Sequence, residues 1–154
     1  MPDVGEKAPD FRMVADDESE IALEDLRGQR VILYFYPKDD TSGCTTQACD
    51  LRDQISVFND LGVTILGVSP DSVKSHQKFK AKFDLNFPLL VDEDHAVAEA
   101  YGVWKEKKMY GRTYMGIERS TFLIGADGEI EQVWRKVRAK EHAEMLKAHL
   151  SEAE

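Results

Sequence analysis

This 154-residue sequence predicts one α/β domain, residues 1–154, with a mixed central sheet and helices on both faces. Three observations carry that fold class. Val31-Ile32-Leu33-Tyr34-Phe35-Tyr36 and Val63-Thr64-Ile65-Leu66-Gly67-Val68-Ser69 are near-continuous apolar runs, the pattern of strands buried on both faces. Between them lies a helical pattern, so the two runs form parallel neighbours joined by a crossover. Further on, two extended runs flank Ala126-Asp127-Gly128, and the Asp-Gly pair signals an antiparallel hairpin.

The elements follow in order. Pro37 stops the first strand. A helix is predicted over residues 43–61, because Ala48, Leu51, Ile55 and Phe58 recur at spacings of three and four. Gly62 is its natural C-terminal stop. After the second strand, Asp71 or Ser72 caps a helix running to about residue 83, with Val73, His76, Phe79 and Phe83 on one side. Residues 88–91 are a short extended segment, and residues 95–101 a short helix closed by Gly102. Residues 105–116 are polar and contain glycine, which reads as a loop. Strands over 120–124 and 129–134 and a final helix over 139–151 complete the chain. A thioredoxin-like fold fits this order best.

Composition narrows the function. Lys plus Arg is 20 and Asp plus Glu is 29, a net charge of -9. That argues against nucleic acid or an anionic membrane as the main partner. No apolar stretch reaches the length of a membrane span, and the N-terminus lacks the charged-then-apolar pattern of a secretory signal. A cytoplasmic, reducing location is expected, where a cysteine pair is more often catalytic, redox-active or metal-binding than structural. Two cysteines alone cannot build a four-thiolate zinc site. The four histidines show no ligand-like clustering and read as helix-surface or partly buried residues. Asp16-Asp17-Glu18 and Asp92-Glu93-Asp94 read as solvated loops. No phosphate-cradling glycine loop, dinucleotide fingerprint or nucleophile-elbow serine occurs, and no cofactor or metal is expected.

Both thiols, Cys44 and Cys49, lie in one stretch after the first strand. A thiol in the first turn of a helix meets unpaired backbone N–H groups and the positive end of the dipole, which favour the reactive thiolate. The spacing poses a conflict. Residues five apart in an α-helix are separated by about 7.5 Å of rise and point about 140° apart, giving a Cα separation of about 8.6 Å. A disulfide needs less than about 7 Å and facing Cβ atoms. Either the pair never bonds, or the first turns unwind when it does. Burial of both as small apolar residues is the simplest alternative. A proline-ended strand, a polar loop with a threonine and a glycine, and a helix start favour a redox role.

Those same residues resemble a known family. Pro37-x-x-x-Thr41-x-x-Cys44 is similar to the active-site motif of the peroxiredoxins, thiol peroxidases of thioredoxin-like fold. The longer run from Phe35 to Cys49, followed by Leu51-Arg52-Asp53, resembles the bacterioferritin comigratory protein or Q-type subgroup. The likeness extends along nearly the whole chain, through residues 5–11, 67–71, 87–92 and 118–124, with Ser42 standing where many relatives have proline. The resemblance implies that Cys44 attacks peroxide and becomes a sulfenic acid. It implies that Thr41 hydrogen-bonds the thiolate and the peroxide, and that Arg119, on a strand beside residues 31–36, keeps the thiol ionised and stabilises the breaking O–O bond. Pro37 would shape and shield the pocket, and Cys49 would resolve the sulfenic acid as an intramolecular disulfide. A thioredoxin-type reductant as partner, a peroxide as substrate and a monomeric state follow from the same likeness.

Two other functions compete. A general dithiol oxidoreductase usually carries Cys-x-x-Cys, which is missing here. A redox-sensing module would use the same helix unwinding without turnover. Trp104, Met109, Tyr110 and Tyr114 form a loose aromatic group ahead of Arg119, read as packing, with a collar around the pocket or a reductant-docking patch as the lesser reading.

Overall fold

The computed structural model describes residues 2–152. Among these residues nine strands and five α-helices follow in the order β1 (Arg12–Ala15), β2 (Glu20–Ala22), β3 (Arg30–Phe35), α1 (Ser42–Asp53), α2 (Ile55–Asp60), β4 (Val63–Ser69), α3 (Val73–Phe83), β5 (Leu89–Val91), α4 (Ala96–Ala100), β6 (Trp104–Met109), β7 (Arg112–Ile117), β8 (Ser120–Ile124), β9 (Ile130–Trp134) and α5 (His142–Glu152). Short 3-10 turns cover Leu23–Leu26 and Ala139–Glu141. Seven strands form one mixed sheet in the order β2-β1-β5-β4-β3-β8-β9. As predicted, β3 and β4 are parallel and β8 and β9 antiparallel.

Two-residue alternation along β3 divides the core. Val31, Leu33 and Phe35 pack on one face with Leu66, Val68, Phe122, Tyr101 and Ala98 of α4. Ile32, Tyr34 and Tyr36 pack on the other face, with Cys44, Ala48 and Leu51 of α1, Phe58 of α2, Phe79 of α3 and Leu146 and Leu150 of α5. Helices therefore cover both faces, and α1 is seated over the centre of the sheet.

Several expectations are corrected. The helix predicted over 43–61 breaks at Gln54, which leaves helical geometry with φ −114° and ψ 13°. The apolar stripe survives the break, because Leu51 and Phe58 are both fully buried. The side-chain amide of Gln54 reaches out to Glu144 of α5, 3.0 Å away, a tertiary contact with no mark in the local sequence. Residues 105–116 are a hairpin, β6–β7, turned by Tyr110 and Gly111, both at positive φ (52° and 74°). Its alternation was illegible because neither face is consistently buried: most of its side chains are partly or fully exposed. The N-terminal pair β1–β2 carried no predicted element.

His76 and His142 are buried, against the reading of surface or half-buried rings. Asp92 is buried as well and accepts from the backbone N–H groups of Val97 and Ala98 at the start of α4. Asp16 is buried too, accepting from Leu89 N–H and from Lys80 Nζ, each at 2.9 Å. Among the described residues no helix is long and apolar enough to cross a membrane.

Candidate active site

The end of β3 and the start of α1 build the site. Beyond Phe35 the chain turns through Pro37 and reaches Thr41, the N-cap of α1 in extended geometry. Cys44 is the third residue of the helix, in its first turn, and only 2% exposed. The helix thus brings its positive end to a sulfur shielded from water.

Arg119 supplies the full charge. Its guanidinium donates from Nη2 to Cys44 Sγ at 3.3 Å and from Nη1 to Gln47 Oε1. Because arginine only donates, Gln47 must present its oxygen here. Arg119 lies one residue before β8 rather than within a strand. Antiparallel pairing of Ser120 with Phe35 nevertheless carries it to the end of β3. Its backbone carbonyl accepts from Val137 N–H at 2.9 Å, which holds the main chain while the side chain reaches the sulfur. The approach depends on Gly43. A Cβ there would sit 3.2 Å from Arg119 Nη2 and 3.7 Å from Ala139 Cβ.

Gln47 escaped the sequence reading. It is fully buried despite its polar side chain and stands one turn beyond Cys44, so the two share a helix face. That i, i+3 relation was the available signal. Thr41 sits beside the site, but its hydroxyl donates to the Lys38 carbonyl at 2.9 Å and makes no side-chain cap. The predicted contact from this hydroxyl to the sulfur is not formed in this arrangement. Cys49 is partly exposed, further along α1, and both cysteines are free thiols.

Pro37 lines an open cleft of about 300 Å³ with Lys38, Pro70, Trp104, Lys107, Tyr114 and Ile117 among its walls. The hairpin thereby contributes one side of the cleft that Pro37 borders. Trp104 and Tyr114 of the predicted aromatic group belong to it, whereas Met109 and Tyr110 project outward at the hairpin tip, Tyr110 being 98% exposed. Electrostatics mark the same spot. Burial and the charge of Arg119 lower the Lys107 pKa, with the Cys44 sulfur and Glu118 opposing them. Burial, reinforced by the charges of Cys44 and Asp39, holds the Tyr34 hydroxyl protonated well above its usual range. His142, whose Nε2 shares a hydrogen bond with Thr121 Oγ1 at 2.7 Å, is pushed down to about 3 by burial and by Arg119, so it stays neutral.

The family model described as AhpC/TSA matches residues 4–133. The chain belongs to the AhpC/TSA family and is a peroxiredoxin. It is 53% identical over 140 residues to peroxiredoxin Bcp of Bacillus subtilis, covering 91% of this chain and 89% of that one. It is 46% identical over 148 residues to peroxiredoxin Bcp of Escherichia coli, covering 96% and 95%. Among solved structures, the Xanthomonas campestris bacterioferritin comigratory protein, described for its alkyl peroxide reduction activity, superposes with a TM-score of 0.91 at 41% identity, covering 98% of this chain and 99% of that one. The peroxiredoxin is thus an oxidoreductase of the Bcp/Q group, and its fold is the thioredoxin-like one that these relatives share.

Proposed function

We propose that this peroxiredoxin reduces hydrogen peroxide and alkyl hydroperoxides at Cys44, with Cys49 as the resolving thiol and a thioredoxin-type dithiol protein as reductant, acting as a monomer in the cytoplasm. The observation that carries the reading is the Arg119 guanidinium 3.3 Å from a buried sulfur in the first turn of α1. The thiolate attacks the peroxide oxygen that carries hydrogen. The O–O bond breaks, sulfur keeps the OH as a sulfenic acid, and the alkoxide leaves and takes a proton from solvent as an alcohol. Arg119, held by Gln47, faces the charge that moves from sulfur to the departing oxygen. Pro37 and the hairpin side of the cleft limit water access. Thr41, at the mouth of the helix, turns its hydroxyl from the Lys38 carbonyl to the incoming peroxide.

In the second step the Cys49 thiolate attacks the sulfenic sulfur, hydroxide leaves as water, and a disulfide forms. A reductant dithiol then returns two electrons. At about 8.6 Å between Cα atoms the pair cannot bond inside α1. The helix supports opening at one end. Its N-terminus has no side-chain cap and no acidic residue in the first turn. Its C-terminal end is tied down by Arg52 Nη1 on the Phe83 carbonyl at 2.6 Å and by Asn86 on the Arg52 carbonyl at 3.2 Å. Unwinding therefore starts at Ser42 and stops before Leu51.

Stopped-flow oxidation with hydrogen peroxide and with an alkyl hydroperoxide tests this. Cys44→Ser should abolish fast oxidation, and Cys49→Ser should oxidise at the wild-type rate but accumulate a trappable sulfenic acid. Oxidation of the wild type no faster than free cysteine would refute a peroxidase. A fast reaction that never turns over with a thioredoxin would point to a sensor.

A further inference from the structure

Beneath the loop that leads into α1 lies a buried polar network with no part in the chemistry above. Asp39, two residues before the helix N-cap, is 7% exposed and accepts three side-chain hydrogen bonds. Tyr36 Oη donates to its Oδ1 at 2.6 Å, while Ser75 Oγ at 2.8 Å and His76 Nδ1 at 2.6 Å approach its Oδ2. The other His76 nitrogen, Nε2, is 2.8 Å from the Leu90 carbonyl. A carbonyl only accepts, so Nε2 carries hydrogen, and an ionised Asp39 makes Nδ1 a donor as well. In that state His76 is an imidazolium, fully buried and paired with the Asp39 carboxylate.

The pair ties the catalytic loop to α3. The loop's backbone is tied in the same place, since Asp39 N–H donates to Asp71 Oδ2 at 2.8 Å and Ser69 Oγ donates to the same oxygen at 2.6 Å. An exposed bridge from Lys82 to Asp40 spans the rim. Asp39, Asp71 and His76 also offer three ligand atoms within 4.8 Å of one another. Hydrogen bonds already engage each of them, and the adjoining cleft is lined by Lys74, Lys78 and Lys82, which disfavour a cation. A proton fills the role a metal would take.

We propose that the His76–Asp39 ion pair is a positioning element that holds the loop and the first turns of α1 in the folded, peroxide-accepting form, and that loss of its proton eases the unwinding that delivers Cys49. This rests on the reading that Cys49 resolves Cys44. The groups facing the ring are Asp39 from the loop, Asp71 from the β4–α3 connection, the Tyr36 hydroxyl from the end of β3, Ser75 from α3 and the Leu90 carbonyl from β5. Burial opposes the charged ring, but the hydrogen bond and charge of Asp39, the Leu90 carbonyl and Asp71 outweigh it, and the pKa is raised above 6.5. With a raised folded value, the clamp is at full strength below about pH 6.5 and weakens as pH rises through the folded pKa.

Rapid-quench mass spectrometry after one equivalent of hydrogen peroxide separates Cys44 oxidation from disulfide formation. The proteins compared are the wild type, His76→Gln and Asp39→Asn, from pH 5.5 to 9. Disulfide formation in both variants should be about 5-fold or more faster than wild type near pH 6, converging on wild type as the pH passes above the His76 titration, with the first step changed less than about 2-fold. Ionisation of Cys49 is common to all three proteins and cancels in the ratio. A ratio of one throughout, a ratio independent of pH, or slowing of the first step in place of the second overturns the proposal. Amide exchange on the reduced wild type gives an answer even where a variant misfolds. Protection over residues 45–49, corrected for intrinsic rates, should fall along the His76 titration followed by its ring NMR signals, and protection indifferent to that titration overturns the clamp. A wild type that oxidises but never forms the Cys44–Cys49 disulfide refutes the resolving role instead, and the exchange experiment still decides the clamp.

Discussion

Replacing Gly43 with alanine should make the protein less active. Gly43 lies in the first turn of α1 and lacks a positive φ, so alanine fits the backbone. Helix propensity favours alanine by up to about 1 kcal/mol in a helix interior, and in this first turn the contact made by the new Cβ opposes that gain. The new Cβ would lie 3.2 Å from Arg119 Nη2, inside ordinary contact distance. The side chain can yield by a few tenths of an ångström, but that nitrogen is the one donating to Cys44 Sγ at 3.3 Å. A hydrogen bond involving a charged group contributes about 1.5–3 kcal/mol, so its full loss would slow peroxide attack roughly 10- to 150-fold. Gly43→Ala should lose part of this, about 5-fold or more. The assay is stopped-flow oxidation of the reduced protein beside thermal unfolding. A double-mutant cycle isolates the cause. Arg119→Ala alone should show the full 10- to 150-fold loss, and adding Gly43→Ala to it should cost nothing further. Equal penalties in both backgrounds, or an unchanged rate in Gly43→Ala, would refute confinement of the guanidinium by the missing Cβ.

Oxidation of the wild type by one equivalent of peroxide should remove amide protection from residues 45–49 and leave Leu51 and Asp53 protected, as read by hydrogen exchange; uniform protection across α1 would contradict opening from the N-terminus. His142 is held neutral with its pKa down at about 3, so the unfolded chain binds the extra proton below pH 6.5 and stability falls as pH falls. Between pH 7 and 5 this contributes a loss of about 2 kcal/mol, which His142→Gln should abolish in urea unfolding at the two pH values. Phe58→Ala removes a fully buried ring beneath α2 and should cost about 3–5 kcal/mol, measured by the urea midpoint.

The strands at the centre of the sheet were legible because burial on both faces demands unbroken apolar runs, and β3 and β4 are such runs. Cys44 was legible because proline, glycine and threonine punctuate the chain just where a strand gives way to a helix. Arg119 was placed by resemblance, since an arginine among many charged residues carries no local mark. The hairpin β6–β7 escaped because strand periodicity appears only where one face is dry, and neither of its faces is. Gln47, His76 and Asp39 looked like ordinary polar residues of a helix or loop; their burial comes from partners up to 72 positions away, such as Arg119 on Gln47.

By itself, then, the sequence determined the strand–helix–strand unit, the thiol in the first turn of a helix and the spacing that forbids a disulfide within it. Those are matters of periodicity and local geometry, which neighbouring residues dictate. Only the tertiary structure decided how close Arg119 comes to the sulfur, what orients its guanidinium and which end of α1 is tied to α3. Each of these depends on strand register and on contacts between segments remote in sequence: β8 against β3, Arg52 against the end of α3, and His76 beneath Asp39.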